Sequence, residues 1–190
     1  MNIGILRIGQ VDPYPVGRIQ ENLSPTFPKT KCLLIDEILP IPDEAFERTR
    51  QQYLSNIILN KIRSLAEKKD LLDHALGITN ADIYIPKLNF VFGEAECPGK
   101  AALISLYRLS EEFYGKAPDI ELLVERGTKE AVHELGHSLG LRHCSNPFCV
   151  MYFSNSIFET DRKQSLFCNK CRLKLEIINR RASRSPQRRV

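Results

Sequence analysis

Residues 133–143 read HELGHSLGLRH. His133 and His137 are four residues apart, so in a helix their imidazoles lie on one face, about one turn apart, where both can bind one metal ion. Gly140 lets the chain leave the helix abruptly, because glycine adopts positive φ without a Cβ clash, and the turn can bring His143 to the same metal. Three neutral imidazoles leave one tetrahedral corner of Zn²⁺ open, which is typical of a catalytic site.

The residues that follow this stretch add a second pattern. Cys144 is followed after four residues by Cys149, Val150 and Met151, and Cys168 and Cys171 come later. Together with HExxHxxGxxH, this pattern resembles the archaemetzincin family, which comprises metzincin-type zinc peptidases of archaea and vertebrates. The resemblance extends upstream in weaker form through RQQY at 50–53, NFVFG at 89–93 and ISLYRL at 104–109, and so covers about residues 45–175.

The resemblance implies a role for several residues of this region. His133, His137 and His143 would bind the catalytic Zn²⁺, which lowers the pKa of a bound water from about 15.7 towards about 7. Glu134 would act as general base, accepting a proton from that water and passing it to the leaving amine. Met151 would form the Met-turn, an apolar floor beneath the three histidines, and the alternative is a methionine that fills a gap in the core.

The sequence departs from the wider metzincin pattern directly after Met151. Some metzincins carry a tyrosine two residues beyond this methionine, where it reaches the metal or the oxyanion, whereas here Tyr152 follows at once and Phe153 comes next. Tyr152 is the candidate oxyanion donor. The alternative is a partly buried aromatic residue whose hydroxyl bonds to the backbone.

The four downstream cysteines form two short-spaced pairs. Cys144 and Cys149 are separated by four residues, Cys168 and Cys171 by two, and eighteen residues lie between the pairs. Such pairs match a Cys₄ zinc site, because each supplies two corners of a tetrahedron. This site is closed and structural, so the sequence predicts two zinc ions per chain, one catalytic and one structural. Two disulfides and free thiols are the alternatives.

Three further residues lie outside both patterns. Cys32 and Cys97 are interpreted as free, buried cysteines that act as small hydrophobes. His74 is interpreted as a helix or loop residue without a metal-binding role.

The charge of the chain is unevenly distributed. The net charge is +4, but residues 180–190 hold five Arg and no acid, which leaves 22 basic against 23 acidic residues in 1–179. A basic surface built into the fold is therefore not supported, and nucleic acid is not an expected partner apart from weak contacts of the tail. No run approaches the ~20 apolar residues of a membrane helix and no signal peptide is recognisable, so a cytoplasmic location without membrane contact is expected.

The hydrophobic pattern predicts alternating strands and helices. Apolar runs at 2–8 and 31–36 predict two buried strands, joined by a loop whose four prolines argue against a helix interior. Apolar residues three or four apart predict an amphipathic backing helix at about 43–67. Further strands are predicted at 82–85, 89–94 and 101–107, an active-site helix at about 119–140 with Gly127 as a break or register adjustment, and a short helix at 169–178.

These elements predict an α/β fold with a metzincin-like mixed twisted sheet and a small zinc-stabilised C-terminal lobe. The expected organisation is a single domain of 1–179, with subdomains of about 1–140 and 141–179, followed by a basic disordered tail at 180–190. By the family resemblance, the strand at about 89–95 or its neighbour would form the antiparallel edge of the cleft, to which an extended peptide can add as a strand.

The sequence therefore predicts a monomeric zinc-dependent peptidase acting on peptides or unfolded polypeptides. Two alternatives come from other classes of protein. One is a zinc-binding module that binds peptides with weak or no hydrolysis, against which the presence of Glu134 argues. The other is a nucleic-acid-associated zinc protein, supported only by the Cys₄ pattern and the arginine tail.

Overall fold

A computed structural model of the chain describes residues 1–27 and 29–184. Its strands are β1 (Asn2–Ile8), β2 (Lys31–Leu39), β3 (Phe46–Glu47), β4 (Gln52–Leu54), β5 (His74–Thr79), β6 (Ile83–Tyr84), β7 (Gly93–Ala95) and β8 (Ala101–Ser105). Its helices are α1 (Pro13–Leu23), α2 (Ser55–Lys68), α3 (Ile120–Ser138), α4 (Ile157–Arg162) and α5 (Asn169–Arg184). Short 3₁₀ turns lie at Asp43–Ala45, Tyr107–Leu109 and Glu112–Tyr114.

A five-stranded mixed sheet forms the centre of the fold, in the order β2-β1-β5-β8-β7. The first four strands are parallel, and β7 runs antiparallel to β8 at the edge. Helix α2 packs on one face of this sheet, while α3 and α1 pack on the other. Because both faces are covered, every residue of β8 is buried and the strand shows no polar alternation. The predicted α/β class with a mixed sheet, a backing helix and an active-site helix is confirmed.

The loop predicted between β1 and β2 is wrong, because residues 13–23 form α1. Pro13 and Pro15 lie in the first turn, where a backbone N–H has no helical partner, so its absence removes no hydrogen bond. The side chain of Asp12 caps the helix by accepting a hydrogen bond from the N–H of Tyr14 at 2.9 Å. Prolines exclude a helix interior, and here they stand at a helix start.

Two further elements differ from the prediction. Helix α2 begins at Ser55 and not near residue 43, since the preceding residues form a 3₁₀ turn and the β3–β4 pair of a separate three-stranded sheet. The rings of Phe46 and Tyr53 are in contact across this pair, with centroids 4.9 Å apart. This cross-strand contact stabilises the β3–β4 pair in place of the predicted first turns of the helix. Strand β2 is the edge of the main sheet, so Leu33 and Leu34, which lie inside the strand predicted at 31–36, are exposed and not buried as predicted.

Strand β5, at the centre of the main sheet, is missing from the prediction. Its sequence HALGIT contains Gly77, which lowers strand propensity. In the structure this glycine is required by packing, because a Cβ there would collide with Ile62 of α2. The predicted antiparallel edge is confirmed as β7 against β8, although β7 is limited to Gly93–Ala95 and is preceded by a loop at 85–92.

Helix α3 follows the prediction closely. It begins after Asp119, whose side chain accepts a hydrogen bond from the N–H of Leu122 at 2.9 Å, and it ends at Ser138. Gly127 does not break it. A Cβ at this position would lie 2.6 Å from Ile19 Cδ1, so the glycine allows α1 and α3 to pack closely.

The C-terminal part contains more helix than predicted. Helix α4 is absent from the prediction, and α5 continues beyond residue 178 to Arg184, so 180–184 are helical and not disordered. The rest of the expected tail, 185–190, lies outside the described residues. In the part of the chain that the structure describes, no helix is long and apolar enough to cross a lipid bilayer.

Candidate active site and metal centres

The three histidines of the opening motif converge as the sequence predicts. His133 and His137 lie one turn apart on α3, and the turn after α3 returns His143 to them. One ring nitrogen of each lies within 4.8 Å of the others. The two helical residues are closest, with their Nε2 atoms 3.1 Å apart.

The hydrogen bonds of these rings determine which nitrogens face one another. Nδ1 of His133 lies 2.7 Å from the carbonyl oxygen of Val150, and Nδ1 of His137 lies 2.7 Å from that of Leu141. Because a carbonyl only accepts, both Nδ1 atoms donate, and in neutral rings both Nε2 atoms carry lone pairs. Burial lowers the pKa of His133 well below its ordinary value, so the neutral form is favoured.

Two lone pairs 3.1 Å apart repel unless a cation lies between them. Tetrahedral zinc with Zn–N bonds of about 2.0–2.1 Å separates its nitrogen ligands by about 3.3 Å. The donor set therefore fits zinc in its neutral imidazole chemistry and in its spacing. Burial also lowers the pKa of His137 and of His143, which keeps the whole set available as ligands.

Gly140 makes the turn that joins α3 to His143. Its φ is +97°, a value that side-chain-bearing residues rarely adopt. The N–H of Leu141 bonds to the carbonyl of Gly136 at 2.9 Å, which closes the helix end. The carbonyl of Leu141 then accepts the Nδ1 hydrogen of His137, so the same turn ends the helix and orients a ligand.

Met151 is fully buried in the core cluster that contains the C-terminal end of α3. A Cβ at Gly136 would lie 2.5 Å from Met151 Sδ, so this helical glycine leaves the space that the methionine fills. The preceding residue, Val150, holds His133 through its carbonyl. This position is the one that the resemblance implies for a Met-turn.

Glu134 is 5% exposed and lies beside the histidines. Burial raises the pKa of its carboxyl well above the ordinary value, the negative charges of Glu130 and Glu94 add to this, and Lys163 opposes it. The side chain lies against the backbone of β7, where a Cβ at Gly93 would be 2.6 Å from its Cγ and 2.7 Å from its Oε1. Gly93 ends the NFVFG stretch quoted above, but its contact with Glu134 is not predictable from the sequence, because only the sheet brings it to α3.

Gly93→Ala is expected to lower kcat by about 10²-fold, since a displacement of about 1 Å in a reacting group costs that much. The added Cβ would also lie 2.8 Å from the backbone oxygen of Leu103, so either the carboxylate or β7 must move. Steady-state hydrolysis of a quenched fluorescent peptide measures the effect. Gly17→Ala is the control, because a Cβ at Gly17 would contact nothing within 4 Å. Unchanged kcat in the Gly93 variant would contradict the assigned contact.

A buried ion pair lies behind Glu134 and is absent from the sequence analysis. Lys163 Nζ is 2.9 Å from Glu130 Oε1, and the two side chains are 0% and 4% exposed. Thr160 donates a hydrogen bond to the same oxygen at 3.0 Å. Helical spacing already places Glu130 on the face of Glu134, but the lysine comes from the end of α4 and only packing brings it there.

Lys163→Met is expected to lower the free energy of unfolding by about 3–5 kcal/mol, because it leaves a buried carboxylate without its counter-charge. The double variant Glu130→Gln/Lys163→Met removes both charges and should recover most of that loss. Urea denaturation followed by circular dichroism measures both variants. Additive losses in the double variant would show that the two side chains do not interact.

The histidines and Glu134 open onto a cleft of ≈ 390 Å³. It is lined by Ile85, residues 88–95, Glu130, His133, Glu134, His137, His143 and residues 153–155. Phe153 contacts His143 with ring centroids 5.0 Å apart. Tyr152 is not part of this lining, and its N–H closes a turn on Cys149 O at 2.9 Å. The structure thus brings Phe153, and not the predicted oxyanion donor Tyr152, into the cleft.

One wall of the cleft is held from behind by the RQQY segment. The guanidinium of Arg50 donates hydrogen bonds to the carbonyls of Leu88 and Asn89 at 2.9 and 2.8 Å. It also stacks 4.1 Å from the ring centroid of Tyr84. The resemblance singled out this segment, and its physical role is to fix the loop that precedes β7.

The four predicted cysteines also converge. Their Sγ atoms lie within 4.8 Å of one another, and those of Cys144 and Cys168 are 3.8 Å apart. Zn–S bonds of about 2.3 Å separate tetrahedral sulfur ligands by about 3.8 Å, so the set fits zinc. All four are free, which argues against the two-disulfide alternative. Burial acts to raise the pKa of Cys168, but hydrogen bonds from the Cys171 N–H and neighbouring thiols lower it to about 7.

The two clusters are joined by short covalent and hydrogen-bonded links. Cys144 follows His143 directly, and its N–H bonds to the carbonyl of Met151 at 2.8 Å. A cation bound by the cysteines therefore restrains the turn that presents the third histidine and the floor beneath it.

The remaining cysteines and histidine take no part in either cluster. Cys32 and Cys97 are free as predicted, but they are half-buried and not buried. His74 begins β5 and so lies on a strand, not in the predicted helix or loop, and its Nδ1 is 3.2 Å from Ser138 Oγ.

Comparison with known proteins covers nearly the whole chain. A sequence model of Peptidase family M54 matches residues 28–177. The archaemetzincin of Pyrococcus abyssi is 45% identical over 175 residues, which cover 90% of this chain and 93% of that protein. The crystal structure of archaemetzincin from Methanopyrus kandleri, 37% identical, has a TM-score of 0.81 and covers 97% of this chain and 96% of its own. The crystal structure of a zinc-dependent peptidase from Methanocorpusculum labreanum, 32% identical, has a TM-score of 0.83. The match covers 91% of this chain and 99% of that chain.

The range matched by the family model spans both the three-histidine and the four-cysteine cluster, and the structural match covers 97% of the chain. The chain therefore belongs to peptidase family M54, the archaemetzincins, and is a metzincin-type zinc metallopeptidase.

Proposed function

We propose that this chain hydrolyses peptide bonds with zinc held by His133, His137 and His143 and with Glu134 as general base. One observation carries the proposal: two imidazole Nε2 lone pairs face each other at 3.1 Å beside a buried carboxylate, in a cleft open to substrate. A cation between the two nitrogens would remove the repulsion of their lone pairs. The three histidines supply its ligands, so the carboxylate of Glu134 is not needed as a ligand.

Zinc bound there would supply Lewis acidity, which lowers the pKa of water and polarises a carbonyl. Glu134 accepts the proton of the attacking water and returns it to the leaving amine. Burial and the neighbouring carboxylates raise the pKa of Glu134, and the positive charge of a bound zinc ion would act in the opposite direction. The Val150 and Leu141 carbonyls keep the imidazoles in the required tautomer.

We propose that a second zinc is bound by Cys144, Cys149, Cys168 and Cys171 and is structural, giving two per chain. Four sulfur ligands complete a tetrahedron, so no position remains for water. Cys149 and Cys171 belong to the same core cluster as Ile3 and Ile5 of β1, which supports a single domain over 1–179 with the cysteine-bound part as its C-terminal subdomain. Met151 is proposed as the Met-turn beneath the histidines.

Substrate is proposed to be a peptide or an unfolded polypeptide that adds to the free edge of β7. The balanced charge of 1–179 supports action without nucleic acid, and we propose that the chain acts as a monomer. The six free cysteines suit a reducing compartment and support a cytoplasmic location.

Digestion of a peptide library, read by mass spectrometry, tests the proposal. The chain is expected to cleave internal or terminal peptide bonds, to lose activity on chelation, and to recover it when zinc is added back. A chain that binds zinc and peptides but releases no fragments would be a peptide-binding module. Cleavage that survives removal of the Glu134 carboxylate would assign the activity to a different mechanism or to a contaminant.

A further inference from the structure

Strand β7 presents one free edge to the cleft, and its hydrogen bonds show which backbone groups point there. The carbonyl of Phe92 accepts from Ser105 N at 2.8 Å, and the N–H of Glu96 donates to Ala101 O at 3.1 Å. Antiparallel strands alternate between residues bonded to one neighbour and residues bonded to the other. Glu94, midway between these two, therefore directs its backbone groups to Leu103 of β8, while Gly93 and Ala95 direct theirs outward.

A peptide that adds antiparallel to this edge would bond to the backbone of Gly93 and Ala95. Its intervening residue would face Glu94 as a non-hydrogen-bonded pair, in which the Cα atoms are only about 4.5 Å apart and the side chains are closest. Directly opposite residues lie on the same face of a sheet. Side chains alternate along a strand, so Glu94 lies on the α2 face while Gly93 abuts Glu134 on the α3 face.

The carboxylate of Glu94 has no cationic partner within the part of the chain that the structure describes. It accepts a hydrogen bond from the hydroxyl of Ser55, and burial raises the pKa of its carboxyl, a shift that a cationic partner would oppose. Three carboxylates line the cleft, at Glu94, Glu130 and Glu134, and the lining contains no Lys or Arg. Glu130 is paired with Lys163 and Glu134 serves as the base, so Glu94 is the carboxylate left to act on a substrate.

We propose that Glu94 is a specificity residue that selects a basic side chain, Lys or Arg, in the substrate residue that pairs with it across the edge of β7. This inference rests on the proposed function, because it concerns the peptide that the zinc site hydrolyses. An opposite-charge pair across two strands forms best in the non-hydrogen-bonded register, which is the one that the β7–β8 bonds assign to Glu94. A negatively charged residue at the same place meets repulsion.

Acetylated and amidated decapeptides that differ only in Lys, Gln or Glu at one position, scanned along the peptide, test this selection. At one position the native chain should prefer Lys over Glu by about three- to tenfold in kcat/KM, and the preference should shrink as salt rises. Glu94→Gln should bring that ratio close to one, and Glu94→Arg should invert it. If the carboxylate only anchors β7 to Ser55, both substitutions would instead lower the rate of cleavage for all peptides alike.

Glu112→Gln is the matched control, because Glu112 is exposed on a 3₁₀ turn outside the cleft lining and should retain the native ratio. Peptides with a free amino terminus form a second arm. If Glu94 instead favours a free amino terminus over an acetylated one, and acetylated peptides show no preference for Lys over Glu, the α-amine is the cation that Glu94 binds. That result would overturn the side-chain assignment.

Binding separates this inference from the proposed function. Fluorescence anisotropy with labelled Lys and Glu peptides is measured in the Glu134→Gln background, with and without Glu94→Arg, where no turnover is needed. Tighter binding of the Lys peptide that inverts with Glu94→Arg supports the inference even if the native chain cleaves nothing. Absence of cleavage by the native chain would contradict only the hydrolytic function. Equal affinities for both peptides in both backgrounds would overturn the role of Glu94.

Discussion

Glu134→Gln is expected to lower kcat/KM by about 10²–10⁴-fold, which is the usual contribution of a positioned general base. The amide has nearly the shape of the carboxylate, so it should keep the contact with Gly93, but it cannot accept the proton of the attacking water. Hydrolysis of the best peptide from the library digestion, measured at saturating and limiting substrate, gives the change in kcat and in KM.

The same variant must retain its metal for the result to be informative. The candidate ligand cluster consists of three histidines and does not include Glu134, so the zinc content of the variant should equal that of the native chain. A KM within a few-fold of native would show that the lost interaction is made in the transition state. Activity equal to that of the native chain, with zinc retained, would exclude Glu134 as the base.

Removal of the metal ligands is expected to separate two zinc ions of different function. His137→Ala should reduce the zinc content from two per chain to one and abolish hydrolysis, with a modest loss of stability. Cys168→Ser combined with Cys171→Ser should remove the other zinc, and stability should fall far more, because structural zinc sites contribute about 10–16 kcal/mol in peptide systems at neutral pH. Elemental analysis and thermal unfolding measure the two effects.

The links between the clusters predict a direction of coupling. Cys144 follows His143 and bonds to Met151 O at 2.8 Å, so loss of the cysteine-bound zinc should also weaken zinc binding by the histidines. Cys32→Ser combined with Cys97→Ser is the control, since both thiols are free and lie outside the clusters. A single zinc that is unaffected by His137→Ala would contradict the catalytic assignment.

Both metal clusters could be predicted from the sequence because their geometry is largely local. Residues four apart on one helix share a face wherever the helix lies, and Gly140 makes its turn with φ +97° as expected of a glycine. The edge strand β7 was also predicted, through the family resemblance. The sequence pattern does not predict helix α1, because prolines are unfavourable in a helix interior, whereas Pro13 and Pro15 lie in a first turn where no N–H is required.

The residues that the sequence analysis missed are those brought in by long-range packing. Lys163 is thirty-three residues from Glu130, and α4 has to fold against α3 before the ion pair exists. Gly93 and Glu94 approach Glu134 and the cleft only through the pairing of β7 with β8. Proximity to Met151 along the chain makes Tyr152 the candidate oxyanion donor, but the turn places its neighbour Phe153 in the cleft.

The sequence by itself determined the family of this protein and the two clusters, one of histidines and one of cysteines, that could hold a metal ion, because residues at helical and short-turn spacings converge through local backbone geometry. The tertiary structure alone decided what surrounds those clusters: the two imidazole nitrogens 3.1 Å apart, the ion pair between Lys163 and Glu130, and the carboxylate of Glu94 on the edge strand that lines the cleft. These contacts join residues distant in the chain, and no local pattern records them, since sheet pairing and helix packing bring them together only when the whole domain folds.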